Sequence, residues 1–595
     1  MKKYIFTLLA LVACTLTFAE TVKLNGLYYS LGTTTATVVA DQSSDKSVYS
    51  AYTTVTIPAS VTYNNYTYPV VTIGTSAFEG CSNLQSVVLP SSVTTINTDA
   101  FYGCNKLGNV NLEEGLTSIG LRAFYNCHLT TVTIPSTVTS IGNSAFKGTP
   151  LTSVTWLPAT CSTGTDDSAP FYSTSSQITS FTFGPNVEVI PAYICKNMSK
   201  LDTIVLPPSV RSLGQAAFMN CTSLKSINLP ATQKTLPASF FEGCTSLETI
   251  QLPATLTTIS TDAFYGCTKL TNVNIDEGLT SIGLRAFYNC KLTDITIPST
   301  VASIGNSAFK GNPITSVTWL PKTCSTGTDD SAPFYSTSSQ ITSFTFGDSV
   351  QVVPAYLCKH MSQLDTIILP PTVTSIGASA FMYCTALKSF EFPAGIVTVA
   401  TSVLEGCTGL KKVVIPESVT TINQDAFYGC SGLQEIYNYA ITPQTITERA
   451  VNNVNKHTCI LYVPIDYIDL YQAKTVWCDF DNIIGVVTGL HFEEQNVPVT
   501  YLQQDSTLYF MEMQTWQVPL APRIEGFTFL KWEVLAGDLA DGIVLQAVYT
   551  ADEDPRGLEQ TNGEPSSTTH KLVRQGNVYI LRNDELFTIT GAKVK

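Results

Sequence analysis

The pattern I-G-x-x-A-F-x-x-C-x-x-L-x-x-V-x-L-P returns about every 23 residues from Ile73 to Leu433, a period in the range of solenoid repeats, and nothing else in this chain limits its fold so strongly. The phenylalanine position recurs in sixteen units from Phe78 to Phe427, with Cys195, Cys358 and Leu404 replacing the ring in three of them. A unit this short cannot bury its apolar face alone. Neighbouring units must stack and share one core, which predicts a solenoid with function on an extended surface.

Within a unit, stretches such as Leu129 to Pro135 alternate apolar and polar residues and predict a short strand, stopped by a proline that cannot donate to a ladder. Successive strands would form one long parallel sheet. At about 4.8 Å per strand, sixteen of them span roughly 70 Å. The A-F-x-x-C stretch is too short for a regular α-helix and reads as a helical turn on the opposite side. Cys81, Cys104, Cys127, Cys221, Cys244, Cys267, Cys290, Cys384, Cys407 and Cys430 each follow the phenylalanine position by three residues. Met198 and Met361 take the same place, which a disulfide ladder would not tolerate, so a ladder of buried free thiols is expected.

The N-terminus has Lys2 and Lys3, an apolar run from Tyr4 to Phe18 and small residues near Ala19, the pattern of a secretory signal peptide over residues 1–19. Leu11 to Cys14 also fits a bacterial lipobox, so a lipoprotein is the alternative. No later segment reaches the ~20 apolar residues of a membrane span, and a fully exported chain is expected. Residues 20–72 read as an N-terminal β cap, 73–435 as the solenoid, 436–488 as a C-terminal cap and 489–552 as a small β-domain. Residues 553–570 read as a linker, and 571–595 return to strand-like alternation. A longer period overlies the short one: Asp99 to Ser226 reappears almost verbatim as Asp262 to Ser389, seven repeats further on. The same surface is therefore offered twice, which suits multivalent binding.

The chemistry of catalysis is missing. His128, His360, His457, His491 and His570 are scattered, no C-x-x-C pair supports zinc, and there is no G-x-S-x-G elbow or glycine-rich phosphate loop. No catalytic residue, metal ligand or cofactor is expected. With 46 acidic against 32 basic residues and a net charge of −14, nucleic acid is an unsuitable partner. Two features remain. The loops Asp166-Asp167-Ser168 and Asp329-Asp330-Ser331 read as solvated loops, with calcium binding or O-glycosylation at Ser168 and Ser331 as alternatives. The outward strand column contains Asn111, Thr133, Thr155, Thr182, Asn274, Thr296, Thr318 and Thr345. It is nearly uncharged and reads either as a hydrogen-bonding face for a ligand or as threonine suiting an exposed strand. Trp156 and Trp319 are expected in the core.

The repeat unit resembles the BspA-like leucine-rich repeat family of bacterial surface and secreted proteins. That resemblance implies a leucine-rich-repeat solenoid with a parallel sheet on its concave face, and adhesion to protein or glycan on host or bacterial surfaces. Gly526 to Thr550 resembles the internalin B-repeat module. Lys571 to Arg582 with Gly591 to Lys595 resembles the C-terminal sorting domain of the type IX secretion system of Bacteroidetes, shortened. Together these imply a secreted or outer-membrane-associated surface protein. A structural scaffold or nutrient-capture component acting through partner proteins is the alternative to an adhesin.

Overall fold

A computed structural model of the protein describes residues 20–42 and 47–486 and the strand segments 527–536, 544–551, 569–574, 577–582 and 585–588. The expected signal peptide and most of the expected linker lie outside the described residues. The chain forms a parallel β-solenoid of about 18 turns. Contacts divide it into two units, Met1–Leu410 with Ile422–Gly432 and Arg449–Val454, and Lys411–Thr421 with Leu433–Glu448 and Asn455–Lys595.

The first unit opens with antiparallel strands Glu20–Leu24, Leu27–Leu31 and Ala36–Val39, and the last of these pairs in parallel with Tyr66–Ile73. From there each coil repeats the same course. The V-x-L strand contributes to a wide ladder, as in Thr131–Ile134 beside Ser153–Trp156 beside Ser180–Phe183. A second, narrow ladder is built from two-residue strands such as Thr95–Ile96, Ser118–Ile119 and Ser140–Ile141. The expectation of one long sheet is thus replaced by two sides of parallel pairing. The second side escapes sequence reading because two residues are too few to show alternation. The wide ladder is also broken, thinning to single bridges Thr203↔Ser226 and Asn228↔Gln251 between its well-formed segments.

The A-F-x-x-C corner is a run of tight turns without α-helix. Two residues in each such corner are left-handed, as at Asp99 (φ 57) with Gly103 (φ 74) and Arg122 (φ 52) with Asn126 (φ 56). A helix cannot pass through such positions, and serine, aspartate, asparagine and glycine recur there because they adopt them at low cost. The corner still stacks by backbone bonds: Phe101 N–H donates to Ala123 at 2.8 Å and Phe124 N–H to Ala145 at 2.8 Å. Coils also approach closely at the glycine of I-G. A Cβ on Gly283 would fall 2.4 Å from the backbone of Ser260 and Thr261 in the preceding coil.

Inside, the phenylalanines stack face to face. Centroids from Phe78 through Phe101, Phe124 and Phe146 to Phe171 are 5.2–5.4 Å apart. Each such pair contributes about 0.5–1.5 kcal/mol beyond its buried area. The stack pauses at Cys195, Cys358 and Leu404, and each pause has the same origin. In the strand that precedes each of them, the inward position that is usually valine or isoleucine is Phe181, Phe344 or Phe390. Phe171 meets Phe181 edge-on at 6.0 Å, and Phe334 meets Phe344 edge-on at 6.2 Å. A large ring on the strand side of a coil is matched by a smaller residue at its turn, so the core volume is kept.

In the second unit Lys412–Ile415, Glu435–Asn438, Ile460–Pro464 and Asn482–Val486 pair in parallel register. A buried polar cluster fixes its interior. The Asn438 amide donates to the Gln444 side-chain oxygen at 2.9 Å, Gln444 donates to the Val419 carbonyl at 2.8 Å, and the Trp477 indole N–H donates to the Gln444 carbonyl at 2.9 Å. The tail strands Phe527–Ala536, Val544–Ala551, Thr569–Arg574, Asn577–Arg582 and Glu585–Thr588 form one antiparallel sheet in that order. The two tail segments read separately in the sequence therefore share a sheet.

Candidate binding face

Threonine is abundant on the surface of the first unit. At the entries to the strands of both ladders, several hydroxyls are engaged with the preceding coil. Thr117 donates to the Thr94 carbonyl at 2.9 Å, Thr152 to Thr130 at 3.2 Å, Thr179 to Thr152 at 3.2 Å and Thr280 to Thr257 at 2.9 Å. These side chains tie coil to coil. The outward column of the wide ladder differs. Thr133, Thr155 and Thr182 lie in direct register, as do Thr296, Thr318 and Thr345. Their hydroxyls make no hydrogen bond among the described residues, and all six are exposed or half-exposed.

Strand spacing sets neighbouring hydroxyls about 4.8 Å apart. Asn111 and Asn274 sit at the same column position in the coil before each trio, but their amides are tied to carboxylates two residues on, Asn274 donating to Asp276 at 2.7 Å and Asn111 to Glu113. The coil after each trio adds an aliphatic residue that the candidate set lacked, Val205 (79% exposed) and Ile368 (78% exposed). Its signal was present in the sequence, since each stands at the outward position of a strand-like stretch. Each module thus offers three free hydroxyls followed by one bare aliphatic side chain, with no charge at these four positions. Trp156 and Trp319, at the inward end of the middle strand, are fully buried beneath it.

The acidic loops belong to lengthened repeats, the first lying between the paired strands Ser153–Trp156 and Ser180–Phe183. Asp166–Ser168 and Asp329–Ser331 are short 3-10 turns. Lys196 pairs with Asp166 and lies 3.7 Å from Asp167, and Lys359 pairs with Asp329. A cation of the chain therefore already occupies the place a calcium ion would take. The Ser168 and Ser331 hydroxyls each donate at 2.6 Å to the carbonyl of Thr165 or Thr328 and are half-buried. Among the described residues no group of three or more His, Cys, Asp or Glu side chains gathers to hold a metal ion.

The cysteines form the expected ladder, with a bond that sequence reading missed. From Cys104 onward the ladder Sγ donates to the carbonyl at the phenylalanine position of the preceding coil: Cys104 to Phe78 (3.0 Å), Cys244 to Phe218 (3.1 Å) and Cys267 to Phe241 (3.2 Å). In two coils without cysteine another donor serves that carbonyl, the Thr174 hydroxyl at 3.1 Å for Phe146 and the Asn312 amide for Phe287 at 2.6 Å. A side chain with a hydrogen to give is the rule at this position, and buried Met198 and Met361, which have none, are its exceptions. Every described cysteine is free. Burial pushes the Cys127, Cys221 and Cys244 thiols up, and it pushes the half-buried Cys161 and Cys324 up to about 12.

Parallel coils, the phenylalanine stack and the leucine and thiol positions together define a leucine-rich-repeat solenoid. The family described as BspA type leucine rich repeat region matches residues 71–202, 188–316 and 329–458, more than half of the chain, and the chain belongs to it. A leucine-rich repeat protein from Bacteroides ovatus is 25% identical in sequence, with 74% of this chain and 99% of that one covered and a TM-score of 0.43. A leucine rich cell surface protein from Faecalibacterium prausnitzii is 23% identical, covering 75% and 94% with a TM-score of 0.21. The pneumococcal vaccine antigen PcpA is 16% identical, covering 78% and 98% with a TM-score of 0.26. No curated protein sequence matches. Among the described residues no helix is long and apolar enough to cross a membrane.

Proposed function

We propose that this chain is a secreted or cell-surface adhesin that binds a protein through the outward face of its wide ladder, at Thr133, Thr155 and Thr182 and again at Thr296, Thr318 and Thr345. The observation that carries this reading is the division of the threonines. Hydroxyls such as those of Thr117, Thr152 and Thr179 are engaged between coils, whereas these six make no hydrogen bond among the described residues and stand in register at uncharged positions. Protein is favoured over glycan because the column holds no aromatic ring on which a sugar could stack. Membership of the BspA-type family and the signal-peptide pattern at residues 1–19 support export to the surface.

The test is binding of the chain from residue 20 onward to immobilised fibronectin, fibrinogen, fibrillar collagen and mucin and to a glycan array, with and without calcium. Saturable, calcium-independent binding to a protein, weakened when Thr155 and Thr318 are changed to lysine, is expected. Binding to glycans alone overturns the protein reading. Absence of binding on every surface favours a scaffold or nutrient-capture role through partner proteins.

A further inference from the structure

We infer that the two modules engage one partner at the same time, a fibrous or repeat-built protein that presents the same uncharged extended segment at intervals of roughly 34 Å, seven times the spacing between neighbouring strands. This rests on the binding face proposed above and adds the repeat of the ligand to it. The interval follows because Thr133 and Thr296 are seven coils apart in the same unit, with about 4.8 Å between one strand and the next.

The differences between the two copies show what has been held fixed. Buried changes exchange one aliphatic residue for another, Val132 for Ile295, Leu151 for Ile314 and Ile194 for Leu357, which keeps the coil geometry. Charged residues come and go nearby, His128 becoming Lys291, Thr131 Asp294, Ala159 Lys322 and Pro185 Asp348. None of these enters the column, where the three threonines are unchanged and Val205 becomes Ile368. Four successive column positions without charge, on a chain of net charge −14, complement a partner strip that is itself uncharged and partly aliphatic.

Both patches sit on one stacked body, so the second contact costs no linker ordering once the first has formed. Two matched contacts of this kind raise apparent affinity by roughly 10²–10⁴ over one. A partner with a single copy of the segment gains none of this, so the paired patches select for repetition.

The experiment measures apparent Kd and binding capacity for the chain from residue 20 onward on fibronectin, fibrinogen and fibrillar collagen, each immobilised separately. Four variants accompany it, Thr155→Lys, Thr318→Lys, Thr155→Val and Thr318→Val. The valine changes keep side-chain shape and decide the matter if a lysine variant shows a lowered melting temperature. On the protein that the unaltered chain binds, each single variant is expected to weaken apparent affinity about 100-fold, as loss of one of two linked contacts requires. Unchanged Kd with halved capacity means independent sites, which overturns the inference and leaves the binding face standing. Unaltered binding by the double variant Thr155→Lys/Thr318→Lys sinks the binding face itself, and no binding to any of the three surfaces sinks both.

Discussion

At the scale of single residues, the repeat is a set of small obligations met by whichever side chain has the right size and the right hydrogen. The thiol ladder shows this best, because threonine and asparagine replace cysteine wherever the backbone carbonyl can still be reached. Burial shields the ladder thiols from reagents and pushes those of Cys221 and Cys244 up, so iodoacetamide at pH 8 should label exposed Cys478 in the native protein and reach the ladder only after denaturation. Mass spectrometry of alkylated peptides checks this, and rapid native labelling of Cys244 or Cys267 would contradict it. Two glutamates add a pH term. Glu277 accepts from the Ser299 N–H at 3.1 Å and its hydroxyl at 3.0 Å, Glu114 does the same at Ser136, and these donors hold both carboxyls below the usual range. Their contribution is complete above the unfolded glutamate value of about 4.3 and is lost as pH falls through the lower folded value. A Glu114→Gln/Glu277→Gln variant should therefore melt below the unaltered protein at pH 7. The gap should close at pH 2–3, and a gap that persists there rules this origin out.

At the scale of one coil, strand and turn share a fixed volume. Phe181→Val opens space and Cys195→Phe overfills it, and each change should cost about 1–4 kcal/mol in urea unfolding. Phe181→Val/Cys195→Phe restores the usual arrangement of strand and turn, so it should be more stable than the sum of the single changes by at least about 1 kcal/mol, and strict additivity would disprove the compensation. Close packing between coils is tested at Gly283. Alanine there forces backbone apart and should cost more than about 2 kcal/mol. At Gly80, with φ +73 and nothing near its Cβ, alanine should cost only about 1 kcal/mol. Equal losses at both sites would mean that coil spacing yields more easily than close packing allows.

At the scale of the whole molecule, the long duplication preserves coil register, because Asp99 and Asp262 begin the same coil. Their corners are clamped alike, Asp262 by Arg285 through bonds of 2.9 and 2.7 Å and Asp99 by Arg122 at 2.7 Å, and Asp425 meets Arg449 in the same way. Deleting residues 99–261 should give a folded, shorter solenoid with unchanged strand signal per residue in circular dichroism and a smaller denaturant m-value. Aggregation or loss of structure would show that the copies are not interchangeable.

The repeat period, the thiol and phenylalanine positions, the duplication and the six threonines of the candidate face were all legible in the sequence, because stacking forces each structural requirement to recur at a fixed interval. Alternation also named the outward column, but it could not separate free hydroxyls from engaged ones. That distinction depends on where the carbonyl of the preceding coil lies, a whole repeat away along the chain. The narrow second ladder and the turns that replace helix are likewise decided by how one coil settles on the next. A single repeat specifies which residues go inside; only the stack fixes which polar groups are left for a partner.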